Sequence, residues 1–80
     1  MVNISYKPYT ERFTYVTSGV AVGQIEYHGV AEPGSSESAS VWIIKKYTYT
    51  GAYGPDNIKY ASGSRVNNKC WDDRATYTYS

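Results

Sequence analysis

Residues 41–50 read VWIIKKYTYT, and their reading decides the fold. Ten residues hold two tryptophan-or-isoleucine positions in one phase, Trp42 and Ile44, and two tyrosines, Tyr47 and Tyr49, in the other. Alternation with a period of two is the mark of a β-strand, because successive side chains point to opposite faces. The change of phase falls at Lys45-Lys46, where a bulge is expected. The types are right for a strand: β-branched and aromatic side chains fit a pleated, half-buried surface.

The rest of the chain carries the same chemistry. Val, Ile, Thr, Tyr, Phe and Trp make up 32 of the 80 residues, and there is no leucine. Outward from the central strand, residues 57–61 form a short strand with Ile58 and Tyr60 in phase. Residues 13–17 (FTYVT) form another, with Phe13 and Tyr15 on one face. Residues 20–30 read as a strand that changes phase at Gly23, with Val20 and Val22 before it and Ile25 and Tyr27 after it. Trp71, Ala75, Tyr77 and Tyr79 share a phase in the last ten residues, which predicts a final strand. Between these lie turn signals: Ser18-Gly19, the polar stretch 31–40 (AEPGSSESAS), the Gly/Pro/Asp run 51–56 and Ser62-Gly63-Ser64. Residues 65–69 are polar and read as irregular. Five or six short strands at a spacing of about 8–12 residues predict an all-β sandwich or barrel, mainly antiparallel.

At 9.0 kDa the chain is one domain, and a chain this short buries only about 60% of its unfolded surface. Residues 13–80 are expected to be the β domain. Residues 1–12 carry Ile4, Tyr6 and Tyr9 but also Pro8, which suits an N-terminal arm or an edge strand and not the middle of a sheet. Ile25, Trp42, Ile44 and Trp71 are the expected core, since each tryptophan buries on the order of 200 Å².

Composition narrows function by exclusion. Eight basic against seven acidic residues give a formal charge of +1, too little to run on counterion release, so nucleic acid is not an expected partner. A single cysteine, Cys70, leaves no internal disulfide framework, and a single histidine, His28, leaves no His-pair metal motif. No run of about 18 apolar residues is present, and the first residues have no apolar signal-like region. Asp72 and Asp73 are adjacent, so on a strand they point apart and do not form a carboxylate dyad. His28 has no nucleophile context and reads as a solvated surface histidine; Cys70 reads as a small buried hydrophobe. No catalytic, cofactor or metal residue is expected. The ten tyrosines, apolar in the ring and polar at the tip, suit interfaces, and Tyr6, Tyr9, Tyr47, Tyr49, Tyr77 and Tyr79 are the interface candidates.

Three runs occur in order: Tyr27-His28-Gly29-Val30-Ala31-Glu32-Pro33-Gly34, then Trp42-Ile43-Ile44-Lys45-Lys46-Tyr47-Thr48-Tyr49, then Trp71-Asp72-Asp73-Arg74-Ala75-Thr76-Tyr77-Thr78-Tyr79-Ser80. Together they resemble a group of short virion-associated proteins of tailed bacteriophages, with the pattern Y-x-G-x-A-x-P-G, W-x-I-x-[KR]-[IL]-x-Y and W-D-x-R-[AT]-x-[YL]-x-Y-S. The resemblance covers residues 26–80. Tyr47 departs from it, standing where an aliphatic residue is usual, and so does the turn at residues 53–57. What the resemblance implies is a structural, non-enzymatic protein of a phage particle, as capsid decoration or as a tail or fibre accessory. Its partners would then be copies of itself and other particle proteins. The residues by themselves leave open a second reading, a carbohydrate-binding or adhesion module whose tyrosines stack on cell-surface glycans.

Overall fold

The structure is a computed structural model and describes residues 9–80. It is all-β. Strands β1 (Thr10–Tyr15), β2 (Ile25–Ala31), β3 (Ser40–Thr48) and β4 (Asn57–Tyr60) form an antiparallel sheet in that order, and the two-residue β5 (Lys69–Cys70) pairs with the start of β3. A 3-10 helix, Trp71–Thr76, follows β5 directly. The strands thus form one five-stranded sheet. The layer that a second sheet would supply in a sandwich comes from this helix and the tyrosines after it.

Expectation and structure part at several points, each for a local reason. The predicted strand at the C-terminus is a 3-10 helix. Arg74 Nη1 donates to the Trp71 carbonyl (3.1 Å) and Thr76 Oγ1 to the Asp73 carbonyl (2.6 Å), so side chains fold the segment on itself. Extended pairing resumes only at its end, where Tyr79 bridges Ala61 and Ser80 and Tyr60 exchange backbone hydrogen bonds. The strand predicted over 20–30 begins at Ile25. Val16 N–H bonds the Gln24 carbonyl and Gly23 N–H the Val16 carbonyl, closing a hairpin whose loop turns at Gly19 and Gly23, both at positive φ. Val20 and Val22 are exposed on that loop. Residues 65–69, read as irregular, supply Lys69 to β5.

No bulge occurs at Lys45-Lys46. β3 pairs in unbroken register there, Lys45 with Tyr60 and Lys46 with Lys59, and with His28 and Tyr27 on the other side. The two phases of residues 41–48 are the two faces of one strand. Register shifts fall instead between Ser40 and Trp42, opposite β5, and between Thr14 and Tyr15, opposite β2. The second shift displaces Ile25. It pairs with Tyr15 beyond the irregularity, is half-buried, and lies outside the core where it was expected.

The core is Ala31, Trp42, Ile44, Ala61 and Trp71, with Trp42 and Ile44 fully buried. The two indoles meet at 5.9 Å between ring centroids, and Trp42 Nε1 donates to the Ser36 carbonyl at 2.9 Å. Trp71 lies against the β2 backbone at Gly29. A Cβ built on Gly29 would come within 2.5 Å of Trp71 Cε3 and 2.7 Å of Cζ3. Gly29 is in extended conformation, so what it contributes is the missing side chain and not a special backbone angle.

Two stability predictions follow from this packing. Gly29→Ala should destabilise the chain by about 1–3 kcal/mol, the range for forced overpacking, and Trp42→Ala by about 3–5 kcal/mol. Urea unfolding followed by tryptophan fluorescence measures both. A Gly29→Ala midpoint equal to wild type would mean that Trp71 does not rest on β2.

Candidate interaction surface

Register determines which side chains share the face of the sheet turned away from the tryptophans. Across the strands, Glu11 pairs with Val30 and Val30 with Ile43. Phe13 pairs with His28, His28 with Lys45, and Lys45 with Tyr60; Tyr47 pairs with Ile58. Paired residues lie on one face, so these nine form a contiguous outer surface. Six of the nine are aliphatic or aromatic. An antiparallel sheet with one solvated face normally shows apolar residues inward and polar residues outward. Here both faces are apolar. Phe13 and Ile58 are 42% and 50% exposed, and Tyr15, next along β1, is 52% exposed.

Two of the three polar residues of this face, Glu11 and His28, are engaged with each other. His28 Nε2 donates to Glu11 Oε1 at 2.7 Å, and the His28 ring stacks on Phe13 with centroids 4.6 Å apart. His28 is therefore half-buried and partnered across β1 and β2, not solvated as the sequence suggested. Its Nδ1 is buried without a hydrogen-bond partner. Lys45 Nζ lies 5.9 Å from the Tyr47 ring centroid. At one side of the face, Tyr9, Val30, Val41, Ile43 and Val66 line a groove together with the polar Glu32, Arg65 and Asn67. Cys70 is buried as expected, its Sγ 3.5 Å from the Glu37 carbonyl.

The interface tyrosines expected from the sequence divide between the two sides. Tyr9 is exposed at the groove and Tyr47 is half-buried on the outer face. Tyr49 lies just beyond β3 and donates its hydroxyl to the Ile25 carbonyl at 2.6 Å. Tyr77 and Tyr79 pack on the core from the opposite side. Tyr77 Oη accepts the Cys70 N–H at 2.8 Å, and Tyr79 Oη donates to the Arg74 carbonyl at 2.7 Å. Tyr6 lies outside the described residues, as do residues 1–8 of the expected arm; residues 10–12 of that arm belong to β1, at the sheet edge. The sequence reading missed Phe13, Val30, Ile43, Ile58 and Tyr60 as surface residues. Their signal was the second apolar phase of each strand.

Comparison with known proteins finds no matching family model, curated protein or solved structure.

Burial pushes the Tyr79 hydroxyl well above the usual tyrosine range, with the neighbouring Tyr27 and Tyr77 adding to the shift and Arg74 opposing it. A raised value favours the protonated form in the folded state. Its contribution is complete below the unfolded tyrosine value of about 10 and is lost as pH rises beyond it toward the folded one. Stability should therefore fall above about pH 10, and Tyr79→Phe should flatten that fall. Denaturant midpoints measured across the alkaline range test this. An unchanged alkaline slope in Tyr79→Phe would assign the loss to other groups.

Proposed function

We propose that this chain is a non-enzymatic structural subunit that works by association, burying the outer face of its sheet against copies of itself and other proteins of a phage particle. The observation that carries the reading is the apolar outer face. In a sheet with a thin core, a second apolar face costs solubility unless something covers it. Assembly supplies buried surface that an 80-residue chain lacks by itself. Among the described residues β1 is an edge strand, paired only with β2, and such an edge offers main-chain hydrogen bonds to a neighbour. The phage context is supported by the three ordered motifs. The first runs from β2 into the following loop, the second covers β3 from Trp42 onward and the residue after it, and the third covers the C-terminal helix and the tyrosines packed on the core.

The test separates this from glycan binding, for which the exposed rings of Phe13 and Tyr15 are the relevant feature. Sedimentation velocity over a concentration series should show reversible association of the chain. Phe13→Asp with Ile58→Lys should weaken it at least tenfold while leaving the circular dichroism spectrum unchanged, because both side chains are half-exposed and contribute little to the core. Mass spectrometry of purified particles should find the chain in many copies. A monomer at every concentration that binds a glycan array saturably, and loses that binding in Tyr47→Ala, would replace the assembly reading with the adhesion reading.

A further inference from the structure

One end of the sheet is built without charge. The loops that join β1 to β2 and β3 to β4 lie there side by side. Residues 16–25 and 47–55 hold no Asp, Glu, Lys, Arg or His, in a chain that is 19% charged. Gln24 ties the two loops together: its Nε2 donates to the Ala52 carbonyl at 2.8 Å, and its Oε1 accepts the Gly54 N–H at 3.3 Å. Between those two anchored residues stands Tyr53, which is fully exposed. Asp56 closes the base of the same loop, its N–H bonding the Thr48 carbonyl and its carboxylate accepting the Thr50 N–H. In the hairpin loop Val22 N–H bonds the Gly19 carbonyl and Gln24 N–H the Ala21 carbonyl; Ala21 is buried, and Val20 and Val22 are exposed. Tyr53 is therefore an aromatic side chain presented on a braced turn beside two exposed valines.

The same end carries a hollow. Val16, Val20, Ala21 and Tyr49 line a depression of about 380 Å³ at the hairpin loop, with Glu26 and Lys46 also on its wall. Lys46 has its Nζ 5.6 Å from the Tyr27 ring centroid. Glu26 is half-buried and makes no hydrogen bond or ion pair among the described residues, where the ion pairs are Arg12–Glu37 and Glu11–His28. A phenol is the complement of such a wall. Its ring packs on the valines and the tyrosine, and its hydroxyl donates to a carboxylate that has no other partner, a charge-assisted bond.

We propose that two copies of this chain meet end to end about a two-fold axis, the Tyr53 ring of each entering the other's depression and its hydroxyl donating to Glu26 there. A two-fold contact needs knob and hollow on one patch, and this end has both. It also sets each group near the axis against its own copy, so charges there would repel, and these loops have none. A bilayer is the other surface that takes apolar loop tips. A myristoyl chain, with far more apolar surface than two valines and a tyrosine, binds membranes only marginally, whereas a two-fold contact counts each side chain twice. Two loop tips cover less than the about 1,200–2,000 Å² of a standard interface, so the contact is weak and adds to the outer-face association. The inference rests on the assembly reading above for its partner, a second copy.

Amide NMR shifts followed over a concentration series test it. They are measured in Phe13→Asp/Ile58→Lys, in which the outer face is disabled. The amides of residues 18–26 and 49–54 should move along one binding curve. Tyr53→Ala in that background should abolish the movement, and its full exposure leaves the fold intact. Tyr53→Phe should weaken the contact about tenfold, Glu26→Ala about as much, and the two together little more than either alone, because both remove one hydrogen bond. Additive losses overturn the pairing of Tyr53 with Glu26. Loop amides that stay fixed overturn the contact, and the outer-face association then stands on its own sedimentation result. Loop amides that move only when neutral phosphatidylcholine vesicles are added overturn it in favour of a bilayer. Moving loop amides together with wild-type sedimentation that Phe13→Asp/Ile58→Lys leaves unchanged uphold this contact and overturn the outer-face reading.

Discussion

The fold depends on one close approach, that of the Trp71 ring to the β2 backbone at Gly29. Trp71 is the first residue of the 3-10 helix, so where its ring rests fixes where that helix lies. Only a residue without a side chain leaves room, since the ring occupies the volume a Cβ would take. From there the other contacts build outward. Trp71 closes over Trp42, Trp42 and Ile44 complete the centre of β3, and the chain after the helix returns to bridge Ala61. Cys70 N–H and the Arg74 carbonyl, at either end of that turn, are bonded by the Tyr77 and Tyr79 hydroxyls. The last ten residues therefore serve as the second layer of a domain that has one sheet.

Much of this is legible in the sequence, and the limits are physical. The alternation around Trp42 and Ile44 identifies β3 and its buried face, and the Pro-Gly-Ser composition of residues 32–39 marks the loop before it. Periodicity does not say how many faces of a strand are covered. In VWIIKKYTYT the apolar phases on both faces imitate a bulge, because a bulge and a two-faced strand produce the same change of phase. The C-terminal alternation of Trp71, Ala75, Tyr77 and Tyr79 misleads for another reason. Local bonds from Arg74 and Thr76 side chains hold the backbone in a helical turn that a period-two pattern does not register. His28 depends on Glu11, a partner seventeen residues away in sequence, and pairing of that kind is set by strand register.

The outer surface follows the same logic. None of its residues belongs to a recognisable motif of chemistry; the surface exists only because β1 to β4 align in register. Ile43 pairs with Val30 on the outer face, opposite in phase to the buried Trp42 and Ile44. The interface tyrosines show the converse. Tyrosine suits both a surface and the margin of a thin core, and the chain places it at both: Tyr47 lies half-buried on the outer face, while the Tyr77 hydroxyl accepts the Cys70 N–H and the Tyr79 hydroxyl donates to the Arg74 carbonyl.

Charge placement adds to what burial does not decide. A small sheet with two apolar faces can satisfy the second by stacking, but an apolar contact alone specifies orientation poorly, because hydrophobic attraction is non-directional. Charged pairs that lack internal partners supply direction, since attraction between opposite signs and repulsion between like signs select one register among many. On the outer face Glu11 is hydrogen-bonded to His28, while Lys45 lies beside the Tyr47 ring and makes no ion pair among the described residues. On the other side, Lys46 stands opposite Lys59 across β3 and β4, and Asp72 and Asp73 are exposed in the first turn of the 3-10 helix. Both sides of the sheet therefore carry charged side chains, and what distinguishes the outer face is the exposure of Phe13 and Ile58 and not an absence of charge.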